Sequence, residues 1–452
     1  MPLSRRQLLG GGLVGAAAVV GAAAPSGSAG AARAGHLPRR PRIQRTPGAR
    51  PRADLAPGTD QVPQIQHIVV VMMENHSFDN ILGMTGRGDG FTLGSDGLPT
   101  ATNPDGAGSL IRSFQMPTEC QNNGIGNDWK VAHEAYDGGT NQGFVTSTSA
   151  EAMGYFTHRD LPFTVSMAKR FPVADRYFCS VMAQTDPNRR YLIAGTSLGL
   201  IDDSFPTALP PNGVIFESFN DHGITWKDYY SNLPTLGVFL PLLGDPALAA
   251  GLAPIDQFYA DAASGNLPSF SLVEPNYTTQ SEENPQDVQF GDQFMGQVVN
   301  AVMSGPDWPS TMLIWTYDEH GGYYDHVPPP AAVPPDDVPP ALVAGDPPGG
   351  FDQYGFRVPA GVVSPYARRD FVSHTVYDHT SILKTVEVKW NLPALTNRDA
   401  NANDLFGMLD FTKRPAFLRP PHLHAAANPV KRDGCLTTGP GVIPPPSAVI
   451  PA

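Results

Sequence analysis

The sequence predicts an α/β fold, a large and mainly parallel sheet sandwiched by helices, with long Pro- and Gly-rich insertions. Three observations carry that expectation. Two apolar runs, His67-Ile68-Val69-Val70-Val71-Met72-Met73 and Thr311-Met312-Leu313-Ile314-Trp315-Thr316, lack the alternation of a half-solvated strand and read as strands buried on both faces. Between Asp287 and Met303, the residues Phe290, Phe294, Val298, Val299 and Val302 fall at helical spacing, directly before the second run, which gives a βαβ rhythm. Both strands run straight into acidic residues, Glu74 in one case and Asp318-Glu319 in the other.

Taken in order, residues 1 to 34 read as a Tat-type signal peptide. Ser4-Arg5-Arg6 supplies the twin arginine, Gly10 to Ala24 is apolar or Gly without a charge, and Ala32-Arg33-Ala34 offers a cleavage pattern. The apolar segment is short and rich in Gly and Ala for a membrane span, so an N-terminal anchor is the lesser reading. The Tat export machinery is thus an expected partner, and the expected location is secreted or extracytoplasmic. Residues 35 to 63 form a Pro- and Arg-rich linker expected to be disordered. Residues 64 to 412 suffice for one large catalytic domain without internal repeats, and residues 413 to 452 read as an extended Pro-rich tail.

Residues 1 to 54 hold nine Arg, no Lys and one acidic residue, which leaves 21 basic and 42 acidic side chains in residues 55 to 452. So acidic a body repels nucleic acid. Cys120, Cys179 and Cys435 allow at most one disulfide, too few for a disulfide scaffold.

Adjacent carboxylates at the end of a buried strand do not stay charged and alone; they call for a cation, a basic partner or a raised pKa. Asp318-Glu319 is followed by Gly321-Gly322, a pair that permits a tight turn, and Glu74-Asn75 repeats the design at the end of the first strand. In open α/β sheets, ligands sit beyond the carboxyl ends of parallel strands, so both segments deliver oxygen donors to one edge. The run Gln184-Thr185-Asp186-Pro187-Asn188-Arg189 reads as a helix start, with Thr185 or Asp186 as cap and Pro187 in the first turn. A hydroxyl there also meets unpaired N–H groups and the positive end of the dipole, which favour a phosphate or an alkoxide. Read alone, the run is an ordinary cap.

Gly83 to Met116 reads as a long surface excursion. His133 stands alone in its segment, where a His is more often structural. Segments 223–230 and 269–274 are further strands, Arg357 to Pro365 resumes one, and Asp378-His379-Thr380-Ser381 opens a helix. Val327 to Arg357 is dense in Pro, Gly and Asp; a structureless stretch that long suggests a lid or substrate wall beside the acidic cluster.

Glu74-Asn75-His76-Ser77-Phe78-Asp79, Thr185-Asp186-Pro187-Asn188-Arg189, Tyr317 to Gly322 with Asp325-His326-Val327-Pro328-Pro329, and Asp378-His379-Thr380-Ser381 together resemble the motif set of a bacterial phosphoesterase family that contains non-haemolytic phospholipases C and acid phosphatases. The resemblance runs from about Gln64 to Phe411 and implies an alkaline-phosphatase-like fold. It implies Thr185 as nucleophile, and Glu74, Asn75, Thr185, Asp318 and Glu319 around a divalent metal ion. Oxygen donors favour calcium, magnesium or manganese, with zinc or iron open because His is near. Asn188, Arg189, His133 and Asn284 are expected on the substrate. Asn284-Pro285 stands where many relatives have His-Pro, and Asn cannot act as an acid near neutral pH. Proton donation then falls to His326, His379 or His133, in that order.

The expected activity is that of an exported, metal-dependent phospholipase C acting on phospholipids, with transient membrane-surface contact. The alternative is an acid phosphatase acting on phosphate monoesters, and a non-catalytic binding protein on the same scaffold ranks last.

Overall fold

The computed structural model describes residues 41–121, 125–429 and 449–451. The expected signal peptide, the start of the linker and most of the tail beyond residue 429 lie outside the described residues. The centre is an eight-stranded sheet. Its strands in chain order are β1 (His67–Met73), β2 (Val173–Ala174), β3 (Trp226–Tyr230), β4 (Leu252–Pro254), β5 (Phe270–Val273), β6 (Thr311–Tyr317), β7 (Ala360–Val363) and β8 (Val372–Ser373). They lie in the order β8-β2-β7-β6-β1-β5-β3-β4. Every pairing is parallel except those of β7, which runs against both neighbours.

The two apolar runs are the middle of this sheet. Residues Ile68 to Met73 and Thr311 to Tyr317 are all buried, as expected of strands covered on both faces. They pair in parallel from His67 with Thr311 to Met73 with Tyr317, so Glu74 and Asp318 leave adjacent strands at the same level.

The helices that position the site are α1 (Phe78–Leu82), α2 (Trp129–Tyr136), α3 (Thr185–Ala194), α4 (Val288–Ser304) and α5 (Thr380–Trp390). The stripe read from Phe294 to Val302 is the buried face of α4, and Asp287 caps it by accepting from Gln289 N. In α3 the cap is Gln184, not Thr185 or Asp186; Thr185 is the first helical residue, which leaves its hydroxyl for other work. The excursion at 83–116 is not wholly irregular, since Thr102–Pro104 and Ser109–Arg112 pair as an antiparallel ribbon, to which Val449–Pro451 adds a strand.

The described part of the linker differs from expectation. It has no helix or strand, yet it is bound to the domain. Asn391 accepts from Arg52 N at 2.8 Å and donates to the carbonyls of Arg52, Leu55 and Ala56, while Asp60 pairs with Lys389. Composition suggested disorder because the segment lacks apolar periodicity; its backbone groups are instead satisfied by side chains over 300 residues away in sequence.

Candidate active site

Three neighbouring parallel strands, β6, β1 and β5, end in carboxylates, namely Asp318, Glu74 and Glu274. Arg189, projecting from α3 and fully buried, reaches all three: Asp318 Oδ2 at 3.2 Å, Glu274 Oε2 at 3.0 Å and Glu74 Oε1 at 3.6 Å. One guanidinium faces more negative charge than it can neutralise. Burial pushes the Asp318 carboxyl up to about 7, against the pull of Arg189 and with the charge of Glu319 adding to the rise.

Asn75 ties this cluster to α3. Its φ is +67°, a left-handed conformation that Asn tolerates better than most residues. That turn lets its N–H donate to Asp318 Oδ1 at 3.1 Å, while its Oδ1 accepts from the Thr185 hydroxyl at 3.4 Å. Thr185 keeps 8% of its surface exposed and so is the nearly closed point where solvent meets the cluster. Beside it, Asp186 N donates to Asp203 Oδ1 at 2.9 Å.

Glu319 follows Asp318 into the turn. Its Oε1 accepts from Asn127 Nδ2 at 2.5 Å, its Oε2 from Gly321 N at 2.8 Å, and His320 Nδ1 lies 3.2 Å from the same carboxylate. Both glycines of this turn are required. Gly321 has φ +66° and Gly322 φ +82°, and a Cβ would come within 1.9 Å of Asn75 O in the first case and 2.0 Å of Ile125 Cγ2 in the second. The turn therefore presses Gly321 against the Asn75 carbonyl.

The structure thus brings together Glu74, Asn75, Thr185, Asp318 and Glu319, and it sets Arg189 among them. Arg189 was expected on substrate; its guanidinium is instead committed to three carboxylates and two strand-end carbonyls, from which solvent is excluded. Asn188 is likewise turned inward. It accepts from Val181 N and donates to the carbonyls of Val181, Ala183 and Gln184, so it clamps the loop leading to Thr185 rather than facing a ligand.

The histidines separate by environment. His379 is fully buried, with Nε2 donating to Asp318 O at 2.6 Å and Tyr177 Oη 3.3 Å from Nδ1; burial pulls it down to about 4. Neutral and bonded at both nitrogens, it holds the Asp318 backbone and is a poor proton donor. His133 lies on α2, its Nδ1 bonded to Trp129 O at 2.7 Å and its ring against Trp129, under Gly349 of the long loop. Asn284 Oδ1 lies 3.4 Å from Tyr323 Oη. Neither contact is with the carboxylate cluster.

His326 is different, with 29% of its side chain exposed. Asp79 Oδ2 lies 2.6 Å from its Nδ1 and also accepts from its backbone N–H at 2.8 Å. Burial would lower its pKa, but the hydrogen bond and charge of Asp79, with the charge of Asp325, outweigh that and push it up to about 9. Among the described residues, Asp79, Asp325 and His326 form a group whose potential ligand atoms all lie within 4.8 Å of one another. Arg357 already occupies that group, donating to Asp325 Oδ1 at 2.8 Å and Asp79 Oδ1 at 3.1 Å. A third carboxylate, Asp89, lies 3.3 Å from His326 Nε2 and 2.6 Å from Arg176, so both ring nitrogens of His326 face carboxylates.

Sequence reasoning missed Glu274, Asn127, Asp79 and Arg357. Glu274 carried the same signal as its neighbours, an apolar strand ending in a carboxylate. Asn127, isolated in a Gly- and Asn-rich stretch, carried none.

A model of the Phosphoesterase family matches residues 65–393, well over half of the chain. Phospholipase C A of Mycobacterium tuberculosis strain H37Rv is 30% identical over 424 aligned residues, covering 80% of this chain and 81% of that protein. Non-specific phospholipase C1 of Arabidopsis thaliana is 31% identical over 373 residues, covering 74% of this chain and 69% of its own. Among solved structures, a protein in the alkaline phosphatase superfamily from Vibrio parahaemolyticus aligns at 10% identity with a TM-score of 0.38, covering 83% of this chain and 75% of that one. The chain belongs to the Phosphoesterase family and is a phosphoric ester hydrolase.

Proposed function

We propose that this chain is an exported phospholipase C with Thr185 as nucleophile, splitting phospholipids into diacylglycerol and a phosphorylated head group. The observation that carries the reading is the Thr185 hydroxyl, held at the N-terminus of α3 and bonded to Asn75, which itself is bonded to Asp318. Substrate class is supported by the relatives named phospholipase C, which align along most of the chain.

Glu74, Asn75, Asp318 and Glu319, with the Thr185 oxygen, are the residues that would hold a divalent cation. Their donors are all oxygen, which suits calcium, magnesium or manganese, and the raised Asp318 fits a group that Arg189 alone leaves under-neutralised. Such an ion would favour the deprotonated hydroxyl and polarise a phosphoryl oxygen. Thr185 attacks phosphorus, the P–O bond to diacylglycerol breaks as the new bond forms, and the leaving oxygen takes a proton from His326. Water then attacks the phosphothreonine, losing one proton to His326 as the Oγ–P bond breaks, so the phosphorylated head group departs and Thr185 returns to the deprotonated form in which it attacked. The positive end of the α3 dipole favours the phosphoryl oxygens, although the Asp186 N–H is already taken by Asp203 and Pro187 has none.

We also propose Tat-dependent export, with a domain that extends to about Phe411. Cys120 is disulfide-bonded, in keeping with an oxidising compartment, and among the described residues no helix is long and apolar enough to cross a membrane.

The test is product analysis. Purified protein given phosphatidylcholine should release diacylglycerol and phosphocholine faster than it hydrolyses a soluble aryl phosphate monoester. The opposite order, with no diacylglycerol, makes the chain an acid phosphatase.

A further inference from the structure

Among the described residues nine large apolar side chains are exposed, and five of them, Leu209, Leu240, Val338, Leu342 and Val343, fall on three connecting segments, the loops 198–213 and 334–346 and segment 231–245, whose 3-10 helix Thr235–Gly244 carries Leu240. These segments are bound to one another around α3. Arg190 donates to Ser204 O at 2.7 Å and to Val238 O at 3.2 Å, while Ala341 N donates to Gly199 O at 2.8 Å and Thr196 Oγ1 to Asp336 Oδ2 at 2.6 Å. The first loop reaches the site itself, since Asp203 holds the N–H next to Thr185. The apolar tips thus stand on walls around the helix that carries the nucleophile. Val343 is 71% exposed, too far out to line a pocket.

Charge identifies what covers them. Residues 191–356 contain one Lys, Lys227, and no Arg, and Lys227 is paired with Asp261 at 2.7 Å. The same three segments carry Asp202, Asp203, Asp245, Asp336, Asp337 and Asp346. Such a face is repelled by anionic lipid and attracted by head groups whose outer charge is positive. Four other basic residues, Arg368, Arg369, Lys413 and Arg414, line a separate pocket of about 660 Å³, while Arg45 of the linker lies beside Asn401, which is bonded to the Asn397 that donates to Pro335 O. That pocket follows β7, whose antiparallel course delivers the chain to the opposite edge of the sheet.

We infer that the segments around α3 form a docking face for a zwitterionic phospholipid surface of the choline type, with Leu240, Val338, Leu342 and Val343 entering the lipid and the aspartates meeting the ammonium groups. The inference rests on the phospholipase reading. Pro334, Pro335, Pro339 and Pro340 stiffen the longest loop, so that little chain freedom is lost when it docks.

The experiment is flotation of the full chain with phosphatidylcholine vesicles and, separately, phosphatidylglycerol vesicles. The double variant Leu240→Asp, Val343→Asp should partition about 100-fold more weakly to phosphatidylcholine, on the order of tenfold per side chain, because each loses the transfer of an apolar group. Its hydrolysis of dispersed p-nitrophenyl phosphorylcholine should stay within about twofold of wild type, since both positions lie outside the site. The Val343→Trp variant should show blue-shifted emission with phosphatidylcholine. Unchanged partition of the double variant, an unshifted Val343→Trp emission, or phosphatidylglycerol binding through the same side chains would overturn the inference. Wild type that binds vesicles yet releases no diacylglycerol would remove the phospholipase reading and leave the docking face standing; diacylglycerol release with binding untouched by the variant would do the reverse.

Discussion

Arg189 Nε lies 3.2 Å from Asp318 Oδ2, in an interior from which both side chains exclude water completely. The pair is not a stabilising ornament. It joins a helix to the end of the central strand, and the same guanidinium reaches Glu274 and Glu74, so three strand ends depend on one cation.

Arg189→Met should therefore unfold far more easily than wild type. Removing one partner of a buried ion pair costs about 3–5 kcal/mol, because the remaining charges are left without compensation. Urea unfolding monitored by circular dichroism measures this. A loss below about 1 kcal/mol would mean that the carboxylates are protonated in the folded state and that the cluster holds no net charge.

Thr185→Ala should lower turnover by a factor on the order of 10³ or more, as removal of a nucleophile does, while Thr185→Ser retains a measurable part of it. Stability should change little, since the hydroxyl makes only a 3.4 Å bond to Asn75. Phosphate trapped on residue 185 after an acid quench is the direct sign, detected by mass spectrometry. Activity of the Ala variant within about tenfold of wild type removes Thr185 from the chemistry.

Much of this site was legible because strand ends are. Val69 to Met73 and Met312 to Thr316 are apolar on both faces, a pattern that neither a half-solvated strand nor a surface helix produces, and each leads into carboxylates, so the edge of the sheet and its donors came together. The roles of Arg189 and Asn188 were not legible. Each lies one helical turn from Thr185, which suggests substrate contact, but whether such a side chain points to solvent or inward depends on what packs beside the helix. Here Glu274 and the loop 181–184 stand there, and both draw the polar groups in. The attachment of the linker was hidden for the same reason, because Asn391 could not be paired with Arg52 from sequence.

Asp318→Asn with Glu319→Gln should abolish both divalent-cation binding and activity, since two of three candidate ligand charges are gone. Metal content by plasma mass spectrometry, read beside a thermal melt with and without chelator, separates loss of the ion from loss of the fold. In wild type the chelator should lower the melting temperature; in the variant it should have no effect. Stoichiometric metal in the variant would place the ion elsewhere, with Asp79, Asp325 and His326 the group to examine next.

The last prediction concerns pH. Asp79 holds His326 through a 2.6 Å bond, and His326 is raised to about 9, so it is protonated at neutral pH, as the role proposed for it requires. The sign follows from linkage. A His whose folded pKa lies above its unfolded value of about 6.5 adds stability that is complete below that value and is lost as pH climbs through the folded pKa. The stability difference between wild type and His326→Gln should hence be constant below about pH 6.5 and vanish by about pH 9. Activity depends on the folded pKa alone and should fall as pH climbs past about 9. Asp79→Asn removes the carboxylate that raises the pKa, so its alkaline limb in kcat/KM should move down toward about pH 6.5 while the acid limb stays in place. Arg357 also loses a partner in that variant, but it keeps Asp325 at 2.8 Å, so the fold should survive for the measurement. An alkaline limb that is identical in wild type, Asp79→Asn and His326→Gln would assign the proton to a different group.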